Sequence, residues 1–257
     1  MTRRSPRVTI IGAGFGGIGM AVRLIRAGIG DVTILERADR VGGVWAANSY
    51  PGAACDIPAS LYSFSFAPKS DWTRRYPPQS EIRDYLEDVA ERFGVLPRIR
   101  FGVEVTDARF DDARGTWVLA LADGSTQETE VLITACGQLS RPAVPPLPGL
   151  FLLYGPNTNL GHNSIVYMLE SQIRYVVQAV RRLAAGAGTV TVKPEVQRRY
   201  NDWVQQRITA TVFDRGCTSW YRTPSGRNTT NWPDFTFMYR ARTRRFDAAD
   251  YELTGAA

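Results

Sequence analysis

Three glycines and one carboxylate carry the first chemical signal in this chain. The run Gly12-Ala13-Gly14-Phe15-Gly16-Gly17 spaces its glycines as GxGxxG, and Glu36 follows about 20 residues later. Such a run can cradle a dinucleotide. Gly12 lets the chain turn sharply, Gly14 leaves no side chain between backbone and pyrophosphate, and Gly17 lets a helix pack closely. Free N–H groups at the helix start then face the phosphates, aided by the helix dipole. Glu36 can accept hydrogen bonds from a ribose diol. Its charge disfavours a ribose 2′-phosphate, so FAD or NAD fits better than NADP. Arg37 weakens that exclusion slightly and reads better as a solvated surface arginine.

A glycine loop alone is weak support, and the flanking elements strengthen it. An apolar strand over 8–11 precedes the loop, a helix over 18–27 follows, and a second apolar run over 32–35 delivers Glu36 at its tip. Strand, tight turn, helix and strand is the unit that a bound dinucleotide requires.

Composition sets the broader bounds. The chain has 257 residues, 44% hydrophobic and 22% charged, as in an ordinary globular protein. The net charge of +6 is a mild excess that suits anionic ligands or solubility. Part of it lies in Arg240, Arg242, Arg244 and Arg245, whose near-alternation suggests an exposed strand face. No nucleic-acid-binding pattern accompanies them, so no nucleic-acid partner is expected. Three cysteines, Cys55, Cys136 and Cys217, and one histidine, His162, supply no closely spaced metal set. Reduced thiols and a cytoplasmic location are expected. Arg3-Arg4 lacks the apolar run and cleavage site of a signal, and no apolar stretch reaches membrane-spanning length.

Further along, residues 48–78 read as a long ordered loop rich in aromatics, with short helical turns. Ser80 looks like the N-cap of a helix over 81–93, ended by Gly94. Strands are expected over 99–105, 108–111, 116–122 and 129–135, with a hairpin turn at Asp123-Gly124. Ala135-Cys136-Gly137 ends the last of them. A proline run over 142–148 reads as a linker or crossover. A strand over 151–154, a long helix over 164–185 closed by Gly186 and Gly188, a strand over 190–192 and a helix over 195–207 follow. The remaining tail reads as aromatic and irregular.

These residues together resemble the Baeyer–Villiger monooxygenases, which are FAD- and NADPH-dependent. Gly42-Gly43-Val44-Trp45, then Tyr50-Pro51-Gly52, then Asp56 match that family's fingerprint. Ala135-Cys136-Gly137 is similar to its Ala-Thr-Gly-type motif, and Gly155-Pro156 with the following helix to its C-terminal flavin-contacting segment. The resemblance implies an α/β, Rossmann-like FAD-binding domain with a central parallel sheet, a β-meander and helices on both sides. It implies FAD contacts at Gly12, Gly14, Phe15, Gly16, Gly17, Glu36, Arg37, Gly43, Val44, Trp45, Tyr50, Asp56, Tyr62 and Val105. Ala135, Cys136, Gly137, Gly161, His162 and Asn163 complete that set.

Roles differ within the set. Asp56 fits either a carboxylate beside the flavin ring or a cap for the loop after Cys55. Gln138 is placed to reach the substrate side, and these two are the catalytic candidates. Trp45, Tyr50 and Tyr62 suit an apolar patch beside the flavin or ordinary core packing. Backbone N–H groups at 161–163 could stabilise charge on a reduced flavin. His162 reads as a packed or surface residue, and Cys136 as a buried small residue rather than a nucleophile.

The chain also departs from the family pattern. No second GxGxxG follows an apolar strand, since Gly186-Ala187-Gly188 precedes its strand. The signature FxGxxxHxxxW is missing after Pro148-Gly149. The simplest account is a single FAD-binding domain, 1–257, made of segments 1–149 and 150–257 joined where an NADPH domain would be inserted. The join leans towards an engineered one. The resemblance then implies oxygenation of a ketone or sulfide through a C4a-(hydro)peroxyflavin formed with O2. Without an NADPH site, reduction by NADPH should be slow and unspecific. Hydrogen peroxide or light would be the alternative driver, and unproductive oxidase turnover the competing outcome. A non-catalytic flavin scaffold, or a domain needing a separate reductase, are the other readings.

Overall fold

Valine- and isoleucine-rich runs with both faces covered favour a parallel sheet, because such strands have no solvent side to reserve for polar residues. The computed structural model describes residues 5–137, 149–160, 163–214, 221–223 and 225–255. In chain order its elements begin with β1 (Val8–Ile11), α1 (Phe15–Arg26), β2 (Val32–Glu36), α2 (Val44–Ala47) and α3 (Gln79–Arg92). Then come β3 (Ile99–Phe101), β4 (Val105–Asp111), β5 (Thr116–Leu121), β6 (Thr126–Thr129), β7 (Val131–Thr134) and β8 (Leu150–Leu152). The C-terminal part holds α4 (Ile165–Ala184), β9 (Ala187–Val192), α5 (Pro194–Ile208), α6 (Thr236–Arg242) and β10 (Tyr251–Gly255).

Five strands form one parallel sheet in the order β3-β2-β1-β7-β8. The central register sets Val8 opposite Val32 on one side and Val131 on the other. Alternate residues then share a face. Val8, Ile10, Val32, Ile34, Val131 and Ile133 pack in one core with apolar residues of α1, α3 and α4. Leu35 and Leu132 point the other way and pack with Trp117, Leu119 and Leu121 of the antiparallel sheet β4-β5-β6. The parallel sheet and the meander are as expected. On the second face the buried core is built from the meander.

Several boundaries also move. Ser80 is not an N-cap, since α3 starts two residues earlier than expected, behind Pro78. Proline is well suited there, because its fixed φ and missing N–H cost nothing at a helix start. The expected strand over 99–105 divides: β3 joins the parallel sheet, whereas β4 starts the meander at Val105. The strand over 129–135 likewise divides into β6 and β7. Gly188 lies inside β9, so only Gly186 closes the long helix. The tail is more regular than expected. It contains α6, and β10 pairs antiparallel with β9. Arg240 and Arg242 sit on α6, not on a strand, and stack over Tyr167 and Trp203 at 4.1 and 3.7 Å. The proline run over 142–148 lies outside the described residues.

The start of α4 is fixed from two directions. Ser164 Oγ accepts the Tyr167 N–H at 3.2 Å as an N-cap and donates to the Leu61 carbonyl at 2.6 Å. Ser164→Ala is therefore expected to cost about 1 kcal/mol, read as a lower urea midpoint with unchanged slope.

Candidate functional site

The cradle forms where β1 ends. Gly12 adopts φ +104°, and a Cβ there would lie 2.8 Å from the Ala135 carbonyl oxygen. Its N–H donates to the Leu35 carbonyl at 2.9 Å, so the turn threads between β2 and β7. A Cβ on Gly17 would stand 1.9 Å from the Gly12 carbonyl oxygen, which is why the helix can start so close to the strand. The bond from Ile18 N–H to Gly14 C=O at 3.0 Å opens α1. The N–H groups of Phe15, Gly16 and Gly17 precede it and have no intrahelical acceptor.

A second loop closes over this helix end. Gly43 has φ +56°, and a Cβ on it would lie 3.0 Å from Gly14 Cα. A bond from Gly42 N–H to the Ala13 carbonyl at 3.0 Å holds the two loops together. The two glycine loops thus pack backbone against backbone, with little room for a β-carbon at Gly43.

Glu36 stands beside the glycine turn. Its Oε2 accepts the Ala13 N–H at 2.7 Å and its Oε1 the Ala38 N–H at 2.9 Å. Each carboxylate oxygen retains capacity for another donor. The Glu36 carbonyl accepts the Val103 N–H at 3.0 Å, bringing the segment that leads to Val105 beside it. The Val105 side chain packs against the second-face core. Arg37 is exposed, as expected.

At the end of β7, Ala135 N–H donates to the Ile11 carbonyl at 2.8 Å, and Gly137 adopts φ +71°. Cys136 is exposed, which corrects the expectation of a buried thiol: the residue follows the last sheet position and opens onto the strand edge. Of the two cysteines among the described residues, Cys55 is buried, and burial pushes its thiol pKa up.

Aromatic side chains pack beside the glycine loops. Phe15 packs edge-on to Tyr62 with ring centres 5.2 Å apart, and Tyr62 edge-on to Trp45 at 5.5 Å. Trp45 Nε1–H donates to the Tyr62 hydroxyl at 3.1 Å. Phe15 and Tyr62 belong to the core, so any ligand contact from Phe15 falls to its backbone. Tyr50 is 64% exposed and Val44 49%, leaving these two open to a ligand. Asp56 is also exposed, and its charge acts on the phenols of Tyr62 and Tyr154.

Tyr154 was not singled out by the sequence, nor was the asparagine network behind it. The Tyr154 hydroxyl donates to Asn159 Oδ1, and Asn159 Nδ2 donates to Asn231 Oδ1 at 3.1 Å. Asn157 Nδ2 donates to the carbonyls of Asn228 and Asn231, both at 3.0 Å. The four asparagines were visible in the sequence, but their pairing across some 70 positions was not. Asn163 Oδ1 accepts the Ser164 N–H at 2.7 Å. Gln138, Gly161 and His162 lie outside the described residues. Two surface cavities, lined respectively by Gln178, Arg181, Arg182 and Phe246 and by Trp203, Gln206 and Arg207 among others, involve none of the cradle residues.

A family model described as an NAD(P)-binding Rossmann-like domain matches residues 10–76, which include both glycine loops and Glu36. A Baeyer-Villiger monooxygenase of Streptomyces coelicolor is 41% identical over 211 residues, covering 79% of this chain and 39% of the relative. The chain is similar to Baeyer–Villiger monooxygenases across 79% of its own length. A second Baeyer-Villiger monooxygenase, from Pseudomonas aeruginosa, is 24% identical over 484 residues, covering 98% of this chain and 92% of the relative. Among solved structures, the OTEMO complex with FAD and NADP is 30% identical, with TM-score 0.50, over 55% of this chain and 28% of that one. The first matched relatives are aligned over less than half of their own length, 39% and 45%. Among the described residues, no helix is long and apolar enough to cross a membrane. Among the same residues, no group of three His, Cys, Asp or Glu side chains could hold a metal ion.

Proposed function

We propose that this chain binds FAD and oxygenates a small ketone or sulfide, using segments 1–149 and 150–257 as one flavin domain from which an NADPH domain is missing. The observation that carries the reading is the start of α1, where two glycine loops pack against each other and the Glu36 carboxylate holds the turn. A pyrophosphate would meet the N–H groups of that helix start, and a ribose diol would find the free acceptor capacity of Glu36. Bound FAD would supply the electron transfer and oxygen activation, as it does in flavoenzymes generally.

The chain's own residues hold and shield it. The N–H groups of Phe15, Gly16 and Gly17 face the pyrophosphate, and Gly43 lets the second loop close on it. Val105, Ala135, Cys136 and Gly137 border the nucleotide along the strand ends. Val44, Trp45, Tyr50, Tyr62 and Asp56 belong to the ring end, with Gln138, Gly161, His162 and Asn163 completing that end on the family pattern. A missing NADPH domain is supported by two facts. The alignment to the Pseudomonas relative runs over 484 residues although this chain has 257, so nearly half of that span is the relative's alone. Gly149, at the join, is also built into the fold: its carbonyl accepts the Leu132 N–H and its own N–H donates to the Val190 carbonyl.

Electrons would then come without a dedicated NADPH site. With hydrogen peroxide as oxidant, a ketone gives an ester and water, or a sulfide a sulfoxide and water. The test is to purify the protein, load FAD, record the visible spectrum and add NADPH. Ketone and sulfide substrates are then supplied with peroxide or under photoreduction. The expected result is a yellow protein that NADPH bleaches slowly and that forms product above a free-FAD control. Peroxide release without product would instead establish an oxidase scaffold. Rescue only by an added reductase would establish a partner-dependent domain. Failure to load FAD would end the reading.

A further inference from the structure

We propose, resting on the FAD reading, that Tyr154 is a ligand-contacting residue whose phenol oxygen accepts a hydrogen bond from an N–H or O–H of the bound flavin. Three observations converge on it. The first is place. Ligands in open α/β sheets bind outside the carboxyl ends of the strands. Tyr154 follows β8 at that edge, as Gly12 follows β1 and Ala135 follows β7. Leu153 N–H donates to the Thr134 carbonyl at 2.8 Å, and a Cβ on Gly16 would lie 3.7 Å from Leu153 Cβ. Residue 154 is therefore held next to the start of α1.

The second is conformation. Tyr154 adopts φ +57°, a left-handed backbone that a tyrosine rarely takes. Its N–H is held by Gln172 Oε1 at 2.7 Å. Non-glycine residues stay in that region only where their surroundings over-determine them, and such positions cluster at ligand sites.

The third is hydrogen-bond polarity. The phenol proton is committed to Asn159 Oδ1. Asn159 is oriented in turn by Asn231, whose own N–H is held by Asn228 Oδ1 at 3.0 Å. What the phenol still offers is an oxygen lone pair. Burial first and the Asp56 charge second push that phenol's pKa up to about 12, so it stays protonated near neutral pH. An oxygen with only a lone pair to offer selects a donor, and the flavin ring presents one.

The experiment compares wild type, Tyr154→Phe, Asn159→Ala and the double variant, each titrated with FAD and followed by flavin fluorescence and visible absorption. Phenylalanine keeps the ring and removes the oxygen. Tyr154→Phe should weaken FAD binding by about 3- to 10-fold, the scale of one net hydrogen bond, and shift the flavin visible maximum. Asn159→Ala should move both readouts in the same direction, and the double variant should add little to Tyr154→Phe. Thermal midpoints separate this from general damage, because a purely structural bond would change stability and leave the flavin spectrum alone. If Tyr154→Phe fails to fold, Asn159→Ala decides on the same readouts. Wild-type spectrum and affinity in the variants overturn the proposal while FAD binding stands. A wild-type protein that takes up no FAD overturns both.

Discussion

Replacing Gly17 with alanine should give a protein that retains no flavin and unfolds well below wild type. The added Cβ would sit 1.9 Å from the Gly12 carbonyl oxygen, which is backbone and cannot swing aside. Relief requires α1 to withdraw from β1, and the N–H groups of residues 15–17 would withdraw with it. Overpacking a core costs about 1–3 kcal/mol, and a backbone collision of this depth belongs at or above the top of that range. Gly30→Ala is the control: a Cβ there meets nothing within 4 Å, and the backbone is not left-handed. Its stability should stay within about 0.5 kcal/mol of wild type. Urea denaturation and the flavin absorbance of FAD-loaded protein measure both. A Gly17→Ala variant that loads FAD normally would refute the cradle geometry.

Glu36→Ala should produce the other large loss. The carboxylate satisfies two backbone donors, Ala13 N–H at 2.7 Å in a buried position and Ala38 N–H at 2.9 Å. An unsatisfied buried donor costs about 1–3 kcal/mol, so the pair sets a loss of roughly 2–5 kcal/mol, smaller if water reaches Ala38. FAD affinity should fall as well, because the acceptor offered to the ribose disappears. Glu36→Gln retains one acceptor oxygen and should fall between wild type and alanine on both measurements. Equal stability for Glu36→Ala and wild type would mean that the carboxylate does not hold the Gly12–Gly14 turn.

The cradle was legible in the sequence because its physics is local. Gly12, Gly14, Gly17 and Glu36 lie within one strand-turn-helix-strand unit, and their spacing alone forces the turn. The second loop was legible for a different reason: Gly43 and Trp45 stand in a pattern known from a family. Helix and strand positions followed from apolar periodicity, but boundaries did not. A run such as 99–105 carries no mark showing that its first half joins a parallel sheet and its second half a meander. The arginines at 240 and 242 were misplaced because alternation over a few residues fits a strand face or a short helix equally well. Cys136 was misjudged because burial at a strand end depends on what covers that edge. Tyr154 was missed because its neighbours come from the far ends of the chain, and nothing local marks a tyrosine for a left-handed backbone.

The asparagine lattice between residues 157–159 and 228–231 has a consequence for synthesis. The Gly12 turn, the Glu36 carboxylate and the Ala135 strand end are all present once the first 137 residues have emerged. The turn after β8 cannot take its final shape until residue 231 has left the ribosome. A nascent chain would thus offer a grip for the nucleotide end of its cofactor well before it could define the ring end, so any flavin captured early would be held by one side only.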